Sequence, residues 1–144
     1  MNNTELACIE ACRNLIIDFG AFIDNDQTAR LGELMTLDAT FARPTNPGVV
    51  ISGAVAILAA FAARPRNLVS QHLNLNIRIR QTGAGTAEGF SIVVLYLADA
   101  ADELVPGKGR KANGPIIGTW TDTFVRTAEG WRFKDRRGNA TMHG

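Results

Sequence analysis

Leu68-Val69-Ser70-Gln71-His72-Leu73-Asn74-Leu75-Asn76-Ile77-Arg78-Ile79-Arg80 is the stretch whose reading decides the fold. Apolar and polar side chains alternate along it. Leu73, Leu75, Ile77 and Ile79 point one way, and His72, Asn74, Asn76 and Arg78 the other. A period of two marks a strand, because successive side chains leave a pleated backbone on opposite faces. Beyond it, 81–85 hold turn residues, and Phe90 to Leu97 is apolar on both faces. Such a segment predicts a central strand covered on both sides, by helices and by a partner subunit. Residues 102–115 read as a loop bearing glycine and lysine. Ile116 to Arg126 and Trp131 to Arg137 predict the last two strands, joined through Ala128-Glu129-Gly130.

Upstream, the period changes. Between Thr4 and Asp24, Leu6, Ile9, Cys12, Ile16, Phe19 and Ile23 recur at helical spacing, one stripe facing a core. Asn2, with Glu5 three residues on, is placed to cap the start. Asp26 is a cap for a short second helix carrying Leu31 and Leu34. Thr40 to Arg43 predicts a brief strand stopped by Pro44, and Thr45-Asn46-Pro47-Gly48 has turn chemistry. Ser52 is placed to cap a third, alanine-rich helix from Ala54 to Ala63, ending near Arg64-Pro65. Helices first and strands afterwards exclude alternating βαβ units and predict an α+β layer fold. With 144 residues, no repeat and no low-complexity tail, the expectation is a single domain over 1–144.

Composition narrows the partners. A net charge of +1 offers no field for nucleic acid or an anionic membrane surface. Val49 to Ala63, the most apolar stretch, is too short for a membrane span. The start Met1-Asn2-Asn3-Thr4-Glu5 lacks the basic and apolar regions of a secretory signal. Cys8 and Cys12, four apart on one helix, read as reduced, half-buried residues, which fits a cytoplasmic protein. Apolar residues make up 46% of the chain, enough for a core with apolar surface left for a pocket or a partner.

Candidate chemistry is sparse. Two histidines, one of them the penultimate His143, do not make a metal cluster, so no metal is expected. The basic loop 106–111 lacks the spacing of a phosphate-cradling loop, and no serine carries an elbow motif. What remains is His72 with a carboxylate beside it. An imidazole accepts a proton near neutrality, and a neighbouring carboxylate fixes its tautomer and stabilises the imidazolium. Asp24, closing the first helix, is the natural partner. The plain alternative is a polar-face strand histidine and a helix-end carboxylate with no joint role. Phe19, Ile23, Phe41, Phe61 and Trp120 are candidate walls of an apolar pocket, although aromatics at such spacing also serve simply as core. Arg78, Arg126 and Arg137 are cations available to an anionic or enolate oxygen.

Three segments together resemble the SnoaL-like branch of the NTF2-like proteins, the group of scytalone dehydratase and hexachlorocyclohexane dehydrochlorinase. They are Ile23-Asp24-Asn25-Asp26-Gln27-Thr28-Ala29-Arg30-Leu31, Ser70 to Arg78, and Ile117-Gly118-Thr119-Trp120-Thr121-Asp122 running through Gly130-Trp131-Arg132-Phe133. The resemblance implies a cystatin-like cone, three N-terminal helices packed on a curved antiparallel sheet. It places Asp24 and His72 on a catalytic dyad that removes a proton from carbon while a leaving group departs. Other positions depart from the pattern. Ile23 stands where the dehydratase has tyrosine, Ser91 near its second histidine and Phe19 where the dehydrochlorinase has lysine, while Arg126 matches one of two adjacent arginines, the other falling on Thr127.

The expectation is therefore a cofactor-independent lyase or isomerase acting on a small apolar, cyclic molecule. His72 is its base, Asp24 the orienting partner, and Phe19, Ile23, Phe41, Phe61, Trp120 and Arg126 bind substrate. The rival is a non-catalytic ligand-binding or assembly module of the same fold, as in dioxygenase β-subunits. The apolar faces predict self-association as a dimer or trimer.

Overall fold

A computed structural model describes the whole chain, Met1 to Gly144. Helix α1 (Asn3–Asp24) begins as its sequence predicts. The Asn2 side-chain oxygen accepts the Glu5 backbone N–H at 2.9 Å, satisfying one donor that a helix start leaves free. Its buried face is Cys8, Cys12, Leu15, Ile16, Phe19, Gly20 and Ile23, in steps of mostly three and four. Leu6, expected on that face, is 52% exposed. It precedes Cys8 by two residues, which at 3.6 residues per turn is roughly 200° around the helix.

A 3-10 helix, Thr28–Leu34, follows and buries Leu31 and Leu34. Gln27 stands at its start and no side chain caps it; Asp26, the expected cap, turns the chain at φ 56. Helix α2 (Ala54–Ala62) likewise starts from Gly53, not from Ser52. Gly53 has φ 91, a turn out of the preceding strand that a side chain would strain, and its N–H bonds the Ala39 carbonyl at 2.7 Å.

Strands β1 (Met35–Arg43), β2 (Asn46–Ser52), β3 (Leu68–Gly83), β4 (Thr86–Asp99), β5 (Asn113–Thr127) and β6 (Gly130–His143) form one sheet in the order β2-β1-β6-β5-β4-β3. Residues 46–48, expected in a turn, open β2, and the penultimate His143 pairs with Ile116. The expected antiparallel sheet is mixed, because β1 and β6 run parallel while every other ladder is antiparallel. Consecutive hairpins force β3 to β6 to alternate. No hairpin ties β6 to β1, so their direction follows from topology and not from a local turn.

The alternation in β3 breaks once. From Leu75 to Arg78 the strand takes three steps against two on β4, from Ile92 to Phe90, and Asn76 within that span has φ 51. Such a β-bulge exchanges the inward and outward faces. Before it, His72 and Asn74 meet α1, while Leu73 and Leu75 stand outside, 42% and 46% exposed. After it, Ile77 and Ile79 turn in against the core and Arg78 turns out. The single four-residue apolar face that the sequence predicts is therefore divided between outside and core.

The concave face of the sheet holds the core. Phe19 is its hub, with ring centroids 5.7 Å from Phe41, 5.7 Å from Phe61, 6.1 Å from Trp120 and 5.8 Å from Phe133. A charged pair lies within it: Arg136 Nη1 donates to Asp122 Oδ2 at 2.8 Å, both side chains almost wholly buried. The guanidinium lies 4.0 Å from the Trp120 ring centroid and 4.6 Å from that of Phe19, so the ring faces substitute for part of its hydration. Burial pushes the Asp122 carboxyl up, and the Arg136 charge pulls it only part of the way back.

Candidate active site

Helix α1 crosses β3 closely because residue 20 is glycine. A Cβ there would lie 3.0 Å from His72 Cβ and 3.3 Å from Asn74 Nδ2, tighter than ordinary contact. One helical turn later the chain reaches Asp24, and the close crossing carries that carboxylate to β3. Asp24 Oδ1 lies 2.5 Å from His72 Nδ1, and Oδ2 accepts the His72 backbone N–H at 2.7 Å. Ser70, two residues earlier on the same strand face, donates to Oδ1 at 2.7 Å. The pair is secluded, with side chains 16% and 10% exposed for His72 and Asp24.

These contacts decide the electrostatics. Burial raises the Asp24 carboxyl, but the hydrogen bonds from the His72 ring, the His72 backbone and Ser70 outweigh it. The group titrates below its ordinary value and stays a carboxylate. A carboxylate at Nδ1 assigns the ring proton to that nitrogen, leaving Nε2, which makes no hydrogen bond within the protein, as the basic atom. Arg64 braces the arrangement from the end of α2. Its Nη1 donates to the Ile23 carbonyl at 2.9 Å and its Nη2 to Ser70 Oγ at 2.7 Å. The four groups form one chain of charge-assisted bonds: Arg64, Ser70, Asp24, His72.

His72 borders a cavity of about 110 Å³ lined chiefly by Phe19, Ile23, Phe61, Val93, Leu95 and Trp120, with Arg43 at its edge. A wider mouth of about 370 Å³ adjoins it, again bordered by Ile23, Arg43, Phe61 and His72, and also by Arg64. Four of the expected walls (Phe19, Ile23, Phe61 and Trp120) therefore surround one space with His72. Phe41 does not line it; this ring packs behind, 5.4 Å from Phe61 and 5.7 Å from Trp120. Arg126 stands apart, bordering a groove with Asn3, Thr4, Ala7 and Trp131. Arg126 follows the inward Phe124 by two positions, but it lies near the end of β5, whereas His72 pairs with Leu95 opposite Ile116 near the start of that strand. Arg78, turned out by the bulge, and Arg137, paired with Asp135 at 2.7 Å, are also elsewhere.

Two residues at the site escaped the sequence reading. Arg43 reads in the sequence as a strand end before Pro44, yet it follows the inward Ala39 and Phe41 at steps of two, so alternation alone directs it to the concave face. Arg64 reads in the sequence as a helix end, and no local signal ties it to Ser70.

The family model of the SnoaL-like domain matches residues 4–137. Among solved structures, a candidate scytalone dehydratase from Novosphingobium aromaticivorans is 24% identical with a TM-score of 0.79, covering 100% of this chain and 91% of that one. A type 3 hexachlorocyclohexane dehydrochlorinase from Novosphingobium barchaimii is 19% identical with a TM-score of 0.75, over 96% and 90% of the two chains. A protein with a cystatin-like fold from Caulobacter vibrioides is 16% identical with a TM-score of 0.74, over 94% and 90%. These likenesses show the fold. No curated protein matches the sequence.

Proposed function

The chain belongs to the SnoaL-like domain family, and from that premise we propose that it is a cofactor-independent lyase or isomerase whose base is His72 and whose orienting carboxylate is Asp24. The observation that carries the reading is the 2.5 Å contact between His72 Nδ1 and Asp24 Oδ1 beside an apolar cavity. Solved relatives named for dehydration and dehydrochlorination support the reaction class.

In this reading Nε2 takes a proton from a ring carbon, and the C–H electron pair becomes a new C=C bond. The leaving group departs from the adjacent carbon with its own pair. A departing hydroxide recovers the proton from the imidazolium and leaves as water; in an isomerisation the proton returns to a different carbon. Asp24, held as a carboxylate, offsets the imidazolium charge throughout. The substrate is a small, largely apolar cyclic molecule, matched to the aromatic walls.

The first test needs no substrate. A secluded Nδ1–H···carboxylate bond is expected to give a proton resonance far downfield of the amides, lost in Asp24→Asn. Its absence from the parent spectrum sinks the dyad. A screen of cyclic ketones in D2O then reads deuterium uptake at the acidic carbon, and enzyme-dependent uptake is expected for ring-sized compounds.

The outer face of the sheet supports self-association. Leu73, Leu75, Phe90 and Tyr96 are exposed on neighbouring β3 and β4. Light scattering is expected to give a dimer or trimer, and a monomer removes this part of the reading.

A further inference from the structure

The charged groups around the cavity and its mouth are all cations. Arg43 and Arg64 border them beside His72, and no aspartate or glutamate does. In a chain whose net charge is +1 this is a local imbalance. Asp24 offsets Arg64, to which Ser70 joins it, and leaves Arg43 without a paired carboxylate.

Arg43 and Arg64 differ in how they are used. Neither takes part in an ion pair with a carboxylate. Arg64 is committed to the Ile23 carbonyl and Ser70. Arg43 makes one long hydrogen bond, Nη2 to the Ala60 carbonyl at 3.3 Å, and its guanidinium is held 4.5 Å from the Phe61 ring centroid. A guanidinium has five N–H donors in a planar fork, so most of Arg43's remain for a ligand. Arg136, the other cation near the cavity walls, already has Asp122 and lies beneath Phe19 and Trp120.

We infer that the site takes an anionic ligand: a ring carrying a carboxylate, the ring against Phe19, Ile23, Phe61 and Trp120 and the carboxylate on Arg43 at the mouth. This rests on the reading of the cavity as a substrate site and adds the charge of the substrate to it. Planar, two-point recognition of a carboxylate is what a guanidinium fork does best. Burial first, and the like charge of Arg64 second, press on the Arg43 guanidinium, and a bound anion relieves the second. The size is consistent, since a dry cavity of about 150 Å³ holds benzene and here a smaller one opens into a wider mouth. Arg43 is then a specificity determinant. It fixes the ring so that one carbon faces His72 Nε2, while Arg64 adds field and braces Ser70.

The test compares two probes of the same shape, benzoate and the uncharged benzamide, titrated into the full chain by calorimetry or NMR at low salt. Benzoate is expected to bind at least tenfold more tightly, with the difference shrinking in 0.3 M NaCl. Arg43→Met is expected to erase the preference while benzamide affinity stays within about twofold, and Arg43→Lys to keep part of it. Equal binding of the two probes by the parent overturns the inference without any variant, as does a preference that survives Arg43→Met. Binding of neither probe also overturns it, and removes the ring-sized cavity with it. The downfield resonance of the dyad is read without ligand, so dyad and anion site fail or stand separately.

Discussion

Arg136→Met is expected to destabilise the fold by about 3–5 kcal/mol, the usual cost of leaving one member of a buried ion pair alone. Methionine keeps much of the volume against Phe19, Trp120 and Phe133, so lost packing is the smaller part. The larger part is Asp122, which has no exposure and whose Oδ1 has no hydrogen-bond partner within the protein even in the parent. The loss is also expected to depend on pH. Burial already holds the folded Asp122 carboxyl above its unfolded value of roughly 3.9, and removing Arg136 raises it further. A folded value above the unfolded one means that the native state binds the extra proton. Stability is then greatest at low pH and falls as the pH rises from the unfolded value through the folded one. Denaturant melts at pH 5 and pH 8 read this directly, with the variant weaker at pH 8. Adding Asp122→Leu to Arg136→Met is expected to recover much of the loss, since a buried pair replaced by apolar groups is often neutral or better. A double variant as unstable as the single one shows that packing on the guanidinium, and not the unpaired charge, holds this region.

His72→Gln is expected to lower the rate of carbon deprotonation about 10²–10⁴-fold, the range for removal of a positioned general base. Glutamine still fills the space beside Gly20 and still offers the backbone N–H to Asp24, so the fold is expected to persist. Proton transfer occurs only on the way to the transition state. The loss should therefore fall on kcat, with KM nearly unchanged. The readout is deuterium uptake or elimination with whichever cyclic compound the parent turns over. A His72→Gln variant within threefold of the parent rate removes histidine from the chemistry and leaves the cavity as a binding site. Benzoate preference is expected to survive in it, because Arg43 and the aromatic walls are untouched.

Much of the molecule is legible before folding. The period of two through Leu68–Arg80 and the helical stripe before it determine an α+β layering, and the Asn2 cap follows from local spacing. Asp24 and His72 were readable as candidates because a carboxylate ending a helix and a histidine in a strand are few in this chain. The resemblance to SnoaL-like proteins joined them across a separation of 48 residues.

Tertiary structure decided the rest. No local period reveals that Asn76 hosts a bulge, because a positive φ at one asparagine leaves the sequence alternating while the side chains exchange faces. Parallel pairing of β1 with β6 depends on how many hairpins intervene, not on either strand. Asp122 and Arg136 sit on neighbouring strands, and their meeting in the core depends on the β5–β6 register. The positive rim of Arg43 and Arg64 has the same origin, since an arginine's partner is set by what the fold brings near it. Spacing along the chain determined most of the elements and, within an unbroken strand or helix, most of the faces their residues take. Registers, bulges and the close crossing at Gly20 set which charges meet, because those contacts join segments far apart in sequence that only packing brings within a few ångströms.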